Sequence, residues 1–152
     1  MKYRIFFVIV SIWFSLSHSQ VEGNLRKIDS IHKYLFDARL SDSISIANEH
    51  YKIGELYRHS LLSDSAYFYF QKAEKVFKRF NYKYENAITL YGIAVVQCIE
   101  KDYTGSEVTS IQALTLLESL NESNDVNKYK AFVFNNLGIV FDELEQFNES
   151  IE

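Results

Sequence analysis

The residue types that could carry chemistry are sparse in this chain. Its four histidines are His18, His32, His50 and His59. A helical zinc site of the metalloprotease type needs two histidines four residues apart, and Gly54 stands four residues after His50. The histidines are therefore interpreted as surface or groove residues, and no metal ligand set is predicted.

Nucleophilic chemistry has little support either. Cys98 is the single cysteine, which excludes an internal disulfide, and it lies in the apolar stretch 95–99. That setting favours a small, partly buried side chain over a reactive thiol. The glycines stand too far apart for a phosphate-binding loop, and no serine nucleophile elbow is present. The sequence thus predicts a non-enzymatic protein without a cofactor.

Composition narrows the fold class. Hydrophobic residues make up 47% of the 152 residues, proline is absent and there are only 5 glycines. This composition suits one all-α domain of helices joined by short polar loops. The net charge of −4 and the lack of a basic patch argue against binding of nucleic acid.

The N-terminus is typical of a secretory signal peptide. Lys2 and Arg4 precede the apolar run 5–16, and small residues at Ser17 and Ser19 follow it. The run is shorter than the roughly 20 residues that span a bilayer. We predict a signal peptide over residues 1–19, cleavage before Gln20, and a periplasmic or secreted protein. An uncleaved anchor or a buried first helix is the alternative.

A pattern recurs in the rest of the chain. Residues 52–57 and 136–141 both contain an aliphatic residue, then glycine (Gly54 and Gly138), then an aromatic residue three positions later. Between them, Ala94 stands where the glycine would be. Small residues follow at the same distances in each case: Ala66 and Ala73 after Gly54, Ser106 and Ala113 after Ala94, and Ser150 after Gly138. Such repetition indicates stacked helical hairpins.

These residues resemble the tetratricopeptide repeat family, which implies an α-solenoid of antiparallel helix hairpins. The repeats would cover residues 44–152, as 47–86, 87–130 and an incomplete 131–152. The resemblance is carried by Ile53, Gly54, Tyr57, Ala66, Phe70 and Ala73; by Leu90, Ile93, Ala94, Tyr103, Ser106 and Ala113; and by Phe134, Leu137, Gly138, Phe141, Phe147 and Ser150. Gln97 and Ser110 replace the usual aromatic residues. An unrelated antiparallel helical bundle is the alternative.

The repeat spacing departs from the family. Starts at Ala47, Ala87 and Ala131 are 40 and then 44 residues apart, against about 34 in the usual repeat. We predict that the extra residues lengthen the hairpins, with a loop at 121–127. The resemblance implies the long-period type found in bacterial signalling proteins.

Helix boundaries can also be predicted. The turn strings are 100–103 and 144–147, and Thr104 would open a capping box with Glu107. Ser63-Asp64-Ser65 offers caps for the helix that contains Ala66. Residues 20–43 would form an N-terminal capping helix with one apolar face, which consists of Leu25, Ile28, Ile31, Leu35 and Ala38.

The family binds ligands in the groove lined by the first helix of each repeat. Carried over to this sequence, the resemblance implies a groove that runs from polar and aromatic through apolar to acidic, suited to a protein or peptide segment with apolar anchors and a basic end. The groove positions are Asn48, Tyr51, Glu55, Arg58 and His59; Ile88, Tyr91, Val95, Cys98 and Ile99; and Phe132, Asn135, Ile139, Asp142 and Glu143. Some of these residues could instead pack only against neighbouring helices.

Three functions remain open at this point. The chain is interpreted first as the extracytoplasmic interaction part of a larger signal-transduction protein, with a membrane contact only through a downstream transmembrane segment. The second interpretation is a free-standing secreted or periplasmic binding protein. The third is the non-catalytic N-terminal part of a hydrolase. Because the third repeat lacks most of its second helix, we expect the chain to be a fragment of a longer protein.

Overall fold

A computed structural model describes the backbone of residues 2–37 and 42–149 and the side chains of residues 18–36 and 42–145. Six α-helices and no strand occur in this part of the chain. The helices are α1 (Lys2–Asp37), α2 (Ser43–His59), α3 (Ser63–Arg79), α4 (Lys83–Ile99), α5 (Tyr103–Glu118) and α6 (Asn124–Glu149). Each helix packs against the next one in sequence, and α4 also contacts α2 and α6. The all-α prediction is confirmed.

The second helices of the two complete hairpins bury the same register of positions. In α3 the buried residues follow each other at intervals of four, three and four, which places them on one face of the helix. The buried residues of α5 lie 40 positions later in the chain. The two sets are Ala66, Phe70, Ala73 and Phe77 in α3, and Ser106, Ser110, Ala113 and Leu117 in α5.

Three turns of identical design join α2 to α5. Residues 60–62, 80–82 and 100–102 each end a helix with a Schellman motif, in which the backbone of the middle residue is left-handed. In the first turn the N–H of Leu62 donates to the carbonyl of Tyr57 at 3.0 Å. The left-handed residues are Leu61 (φ 57°), Asn81 (φ 58°) and Lys101 (φ 63°). The turn predicted at 100–103 is therefore present, and none of the three uses glycine.

The capping box predicted at Thr104 is wrong. Helix α5 begins earlier, at Tyr103, and the side chain of Asp102 caps it by accepting a hydrogen bond from the N–H of Gly105 at 3.0 Å. The carboxylate of Asp102, two positions upstream of Thr104, therefore satisfies the free N–H group. Helix α3 begins at Ser63, within the string proposed as its cap, and has no side-chain cap.

Phe70 is the centre of the first hairpin. Its ring is completely buried, and it lies against two glycines, Gly54 of α2 and Gly92 of α4. A Cβ atom at Gly54 would lie 2.6 Å from Cδ1 of Phe70, and one at Gly92 would lie 2.8 Å from its Cζ. The absence of both side chains therefore lets the helices α2 and α4 approach α3 closely. The importance of Gly92 was not apparent from the repeat pattern.

Gly54 and Gly138 occupy the same place in the sequence pattern but should respond oppositely to alanine. A Cβ atom at Gly138 meets no atom of the described residues within 4 Å, so Gly138→Ala should raise the free energy of unfolding by about 0.5–1 kcal/mol through helix propensity. Gly54→Ala should lower the free energy of unfolding by about 1 kcal/mol. The cost of overpacking against Phe70 outweighs the gain that alanine brings in helix propensity. Urea denaturation of both variants tests this, and a stabilised Gly54→Ala would contradict the packing.

A buried polar network replaces the aromatic packing in the second hairpin. Asn136 of α6 donates to the hydroxyl oxygens of Ser106 and Ser110, both at 3.0 Å, and Ser106 donates to the carbonyl of Ala94 at 2.7 Å. Ser110 stands where α3 has Phe70, and the smaller side chain leaves room for the amide. Ser110, which departs from the aromatic pattern, is thus hydrogen-bonded to a residue of α6.

The N-terminal helix α1 extends well beyond the predicted helical stretch and continues without a break across positions 19 and 20. It is attached by Asn24, whose buried amide donates to Ser60 at 3.0 Å, and by His32, whose Nε2 lies 2.9 Å from the Tyr69 hydroxyl. Of the predicted apolar face, Ile28 is buried, Ile31 and Leu35 are half-buried and Leu25 is exposed, while Ala38 lies outside the described residues.

The C-terminal part of the chain differs from the predictions in two respects. The loop between α5 and α6 comprises residues 119–123, so α6 starts inside the loop predicted at 121–127. The turn predicted at 144–147 is wrong, because α6 continues to Glu149. Leu, Glu and Gln are strong helix formers and favour continuation. Ser150 and the rest of the predicted second helix lie outside the described residues.

On α6, Phe134 and Phe141 are exposed, whereas Leu137 is buried. None of the helices in residues 2–37 and 42–149 is long and apolar enough to cross a membrane.

Candidate ligand-binding face

Helices α2, α4 and α6 lie side by side, since α4 contacts both of the others. They are the helices on which the predicted groove positions lie. We call the surface that they share the α2/α4/α6 face. Residues that are far apart in sequence meet there. Tyr51 of α2 and Tyr129 of α6 are separated by 78 positions, and their hydroxyl oxygens lie 3.5 Å apart.

Five aromatic side chains gather on this face and are called here the aromatic cluster. They are Tyr51, Tyr84, Tyr91, Tyr129 and Phe132. Tyr91 stacks on Phe132 with ring centroids 5.9 Å apart, and Tyr129 meets Tyr84, Tyr91 and Phe132 edge to face at 5.9, 6.1 and 5.6 Å. Aromatic pairs at these distances and angles stabilise each other beyond the area they bury. The cluster therefore presents a packed aromatic surface in which Phe132 remains 40% exposed.

Three phenols of the cluster, those of Tyr51, Tyr84 and Tyr91, stay neutral. Burial raises the pKa of Tyr51, and the negative charge of Glu55 raises it further. Burial is likewise the main reason that the pKa values of Tyr84 and Tyr91 are raised. A neutral phenol both donates and accepts hydrogen bonds. The cluster can therefore bind an apolar group on its rings and a polar group at its hydroxyls.

A charged pair borders the cluster on α2. The guanidinium of Arg58 donates two hydrogen bonds to the carboxylate of Glu55, at 3.0 and 2.8 Å, and His59 lies 3.7 Å from the same carboxylate. Burial opposes the charge of Arg58, but its hydrogen bonds to Glu55 and the charge of that residue more than offset this and raise the pKa of Arg58. The bidentate geometry holds both side chains in place.

A cavity of about 480 Å³ opens next to this pair, between α1 and α2. Such a volume lies within the range of about 300–1,000 Å³ that small ligands or side chains occupy. Its lining residues are Lys27, Ser30, Ile31, Tyr51, Lys52, Glu55, Leu56 and His59. Three of the predicted groove residues thus line it, and α1 supplies the opposite wall.

The predicted groove residues divide into two groups. The structure brings together Tyr51, Glu55, Arg58, His59, Tyr91 and Phe132 in the cluster, the charged pair and the cavity. The others are neither members of the aromatic cluster or the charged pair nor among the lining residues of the cavity. Among them, Asn48, Ile88, Val95 and Cys98 are half-buried, whereas Ile99, Asn135, Ile139 and Asp142 are exposed.

The side chain of Glu143 on α6 is hydrogen-bonded to a residue of α5 and not to one of the groove helices. It accepts a hydrogen bond from the hydroxyl of Tyr103 at 2.9 Å. Burial raises the pKa of the Cys98 thiol, and the charge of Glu143 raises it further. A thiol with a raised pKa is a poor nucleophile, which agrees with the interpretation of Cys98 as a structural residue.

The four histidines lie in three different places. His32 and His50 both lie beside Tyr69, with ring centroids 5.8 and 5.7 Å away, at the junction of α1, α2 and α3. His59 borders the cavity, and His18 is exposed on α1. Over the side chains that the structure describes, no group of three or more His, Cys, Asp or Glu residues could hold a metal ion.

Comparison of the chain with family models, with curated proteins and with solved structures finds no match in any of the three. The resemblance to the tetratricopeptide family is thus carried by this chain's own residues and stays a prediction.

Two members of the aromatic cluster were missed by sequence reasoning. Tyr84 and Tyr129 lie in the stretches that exceed the usual repeat length, which were predicted to lengthen the hairpins but not to supply ligand-binding residues. Tyr84 lies in the first turn of α4 and Tyr129 in the second turn of α6. A helical signal was available, because Tyr129 precedes Phe132 by three residues and Tyr84 precedes Tyr91 by seven, and both spacings place the pairs on one helix face.

Proposed function

We propose that this chain is an exported, non-catalytic binding scaffold, the extracytoplasmic interaction part of a larger signal-transduction protein. In this proposal the hairpins stack as a solenoid of the tetratricopeptide type. The α2/α4/α6 face then receives an extended or helical segment of another protein. The chain itself needs no cofactor for this role.

The aromatic cluster is the observation that supports the proposal. It combines residues of three helices into one surface, and it leaves Phe132 partly exposed beside neutral hydroxyl groups. Partly exposed aromatic side chains held rigid by their neighbours are typical anchors of protein interfaces, because little conformational entropy is lost when a partner covers them.

The charges on the face suggest the chemistry of the partner. Arg58 is already neutralised by Glu55, whereas Asp142 is exposed on α6 near the end of the face. We therefore infer a segment with apolar anchors for the aromatic cluster and a basic residue towards α6. Opposite charge at the rim would mainly set the orientation and the association rate.

Selection from a displayed peptide library against the full chain tests this function. The selected peptides should carry an aromatic or aliphatic anchor, and their affinity should fall about tenfold or more in Phe132→Ala, as expected for an aromatic anchor residue. Isothermal titration calorimetry measures the change. In Asp142→Lys, peptides with a basic end should lose affinity more than peptides without one.

Phe68→Ala is the matched control. Phe68 is an exposed phenylalanine of α3, and like Phe132 it has a lysine four residues away over its ring, Lys72 at 4.3 Å in one case and Lys128 at 5.7 Å in the other. Equal losses in both variants, or selected peptides that bind Phe132→Ala as tightly as the parent, would contradict a role for this face.

Export is tested by the N-terminus of the mature protein. We expect it to begin at Gln20, because the charged, apolar and small-residue segments end there. The remainder of α1 would keep Asn24, whose amide bonds to Ser60. N-terminal sequencing of the product in a bacterial host identifies the first residue, and a retained Met1 would refute the signal peptide.

A further inference from the structure

A second cavity lies away from the aromatic cluster. It has a volume of about 410 Å³ and is an open cleft between the end of α3, the start of α4 and the middle of α5. None of its lining residues belongs to the predicted groove. The cavity is therefore independent of the site in which we propose that a protein segment binds.

The surface of this cavity is mainly apolar. Phe77, Tyr82, Leu90, Ile111 and Leu116 contribute the apolar part, and the polar lining includes Glu74, whose carboxylate lies 3.5 Å from the ammonium of Lys78. Phe77 and Leu90 are buried and form its inner part, whereas Tyr82 and Ile111 remain 42% and 47% exposed at its margin. Exposed apolar side chains around an open apolar cleft provide a surface from which a hydrocarbon chain would displace water.

One buried polar group in the lining lacks a partner. Asn86 is 7% exposed, and its Oδ1 accepts no hydrogen bond within the described part of the chain. A buried acceptor without a donor costs free energy, so such groups require an explanation. Asn86 lines the cavity, and a rotation of its side chain would bring Oδ1, which solvent does not reach in this conformation, to an N–H group of a bound molecule.

The start of α4 favours a negative charge close by. Its N-terminal turn carries a partial positive charge, and the preceding residue, Tyr82, offers no side-chain cap. Lys83 is the first residue of the helix and lines the cavity, and among the described residues it makes no ion pair, whereas Lys78 lies 3.5 Å from Glu74. Lys83 and Asn86 are three residues apart and thus neighbours on the helix surface.

We propose that this cavity binds a small anionic amphiphile of the N-acyl amino acid class. The acyl chain lies along the apolar walls, and the amide N–H donates to Oδ1 of Asn86. The carboxylate lies at the N-terminus of α4 beside Lys83. In such a molecule a single carbon separates the amide nitrogen from the carboxylate, so one short ligand reaches both neighbouring groups.

Isothermal titration calorimetry of the full chain with N-dodecanoylglycine, below its micelle concentration, tests the proposal. We expect saturable binding of one molecule per chain. Dodecanoate, which lacks the N–H, and the methyl ester of N-dodecanoylglycine, which lacks the charge, should each bind about three- to tenfold more weakly. Absence of binding, several molecules per chain, or equal affinity for all three probes would overturn the proposal.

Paired variants locate the site. Ile111→Glu should weaken binding of N-dodecanoylglycine at least about tenfold, because it places a charge in the acyl path. Val108→Glu, an equally exposed aliphatic position on the same helix outside the cavity, should leave binding unchanged. Likewise Lys83→Glu should weaken binding and Lys75→Glu should not. Equal effects within either pair would overturn the assignment.

The role of Asn86 has its own readout. Asn86→Leu should leave the fold at least as stable, since it removes a buried acceptor without a donor. It should also abolish the preference for N-dodecanoylglycine over dodecanoate. A retained preference would contradict the hydrogen bond. Phe132→Ala should not alter binding of either probe, which separates failure of this proposal from failure of the proposed peptide site.

Discussion

Replacing Phe70 with alanine is expected to lower the free energy of unfolding by about 3–5 kcal/mol, the range for loss of a large buried aromatic side chain. The ring is completely buried, contacts Tyr51 at a centroid distance of 5.9 Å, and fills the space that Gly54 and Gly92 leave open. The cavity left by Ala would be lined by two glycines and could not be refilled without shifting α2 or α4. Urea denaturation followed by circular dichroism measures the loss.

The matched control is again an exposed phenylalanine of the same helix. Phe68→Ala, two positions away and 51% exposed, should cost well under 1 kcal/mol. A typical domain is stable by only about 5–15 kcal/mol, so Phe70→Ala should leave a clearly weakened or unfolded protein. Comparable stabilities of the two variants would mean that Phe70 does not hold α2, α3 and α4 together.

The second large effect is expected from Ala73→Leu, which should lower the free energy of unfolding by about 1–3 kcal/mol through overpacking. Ala73 is completely buried in a cluster with Ala47 of α2 and Phe77 of α3. Two alanines that face each other leave no volume for three additional carbon atoms, so α2 and α3 must separate or a side chain must leave its rotamer. The thermal midpoint should fall accordingly.

Gln71→Leu provides the comparison for Ala73→Leu, because it adds a leucine to the same helix at an exposed position. It should change stability by less than about 0.5 kcal/mol. Lys72 is less suitable, since its ammonium lies over the ring of Phe68. If Ala73→Leu melted at the temperature of the parent, the helical register predicted from the small residues would be refuted.

The local pattern of the chain predicted the hairpins well. Small and aromatic residues at intervals of three and four in α3 define one buried face, and the same intervals recur 40 residues later in α5. These intervals follow from the geometry of a single helix, so they can be read without knowledge of any neighbour. The positions of α2 to α5 and the burial of Ala66 and Ala73 followed from them.

The candidate site was predicted only in part. Tyr51, Tyr91 and Phe132 were placed in the groove by the repeat register, and they do meet. Tyr84 and Tyr129 were not, because a repeat pattern contains no information about residues that exceed its length. Their contacts depend on how far α4 and α6 extend towards their N-termini, which capping residues and loop length decide together.

The sequence by itself determined the helical class, the buried faces of α3 and α5 and three of the five residues of the aromatic cluster, because these depend on short-range periodicity and on the absence of proline. Only the tertiary structure decided which residues meet between helices. Asn136 is an unremarkable polar residue until α6 places its amide between Ser106 and Ser110. Gly92 is important because the ring of Phe70, from another helix, occupies the space beside it. Such pairings join residues more than 20 positions apart, and their energies depend on shape and on hydrogen-bond geometry that no local pattern encodes.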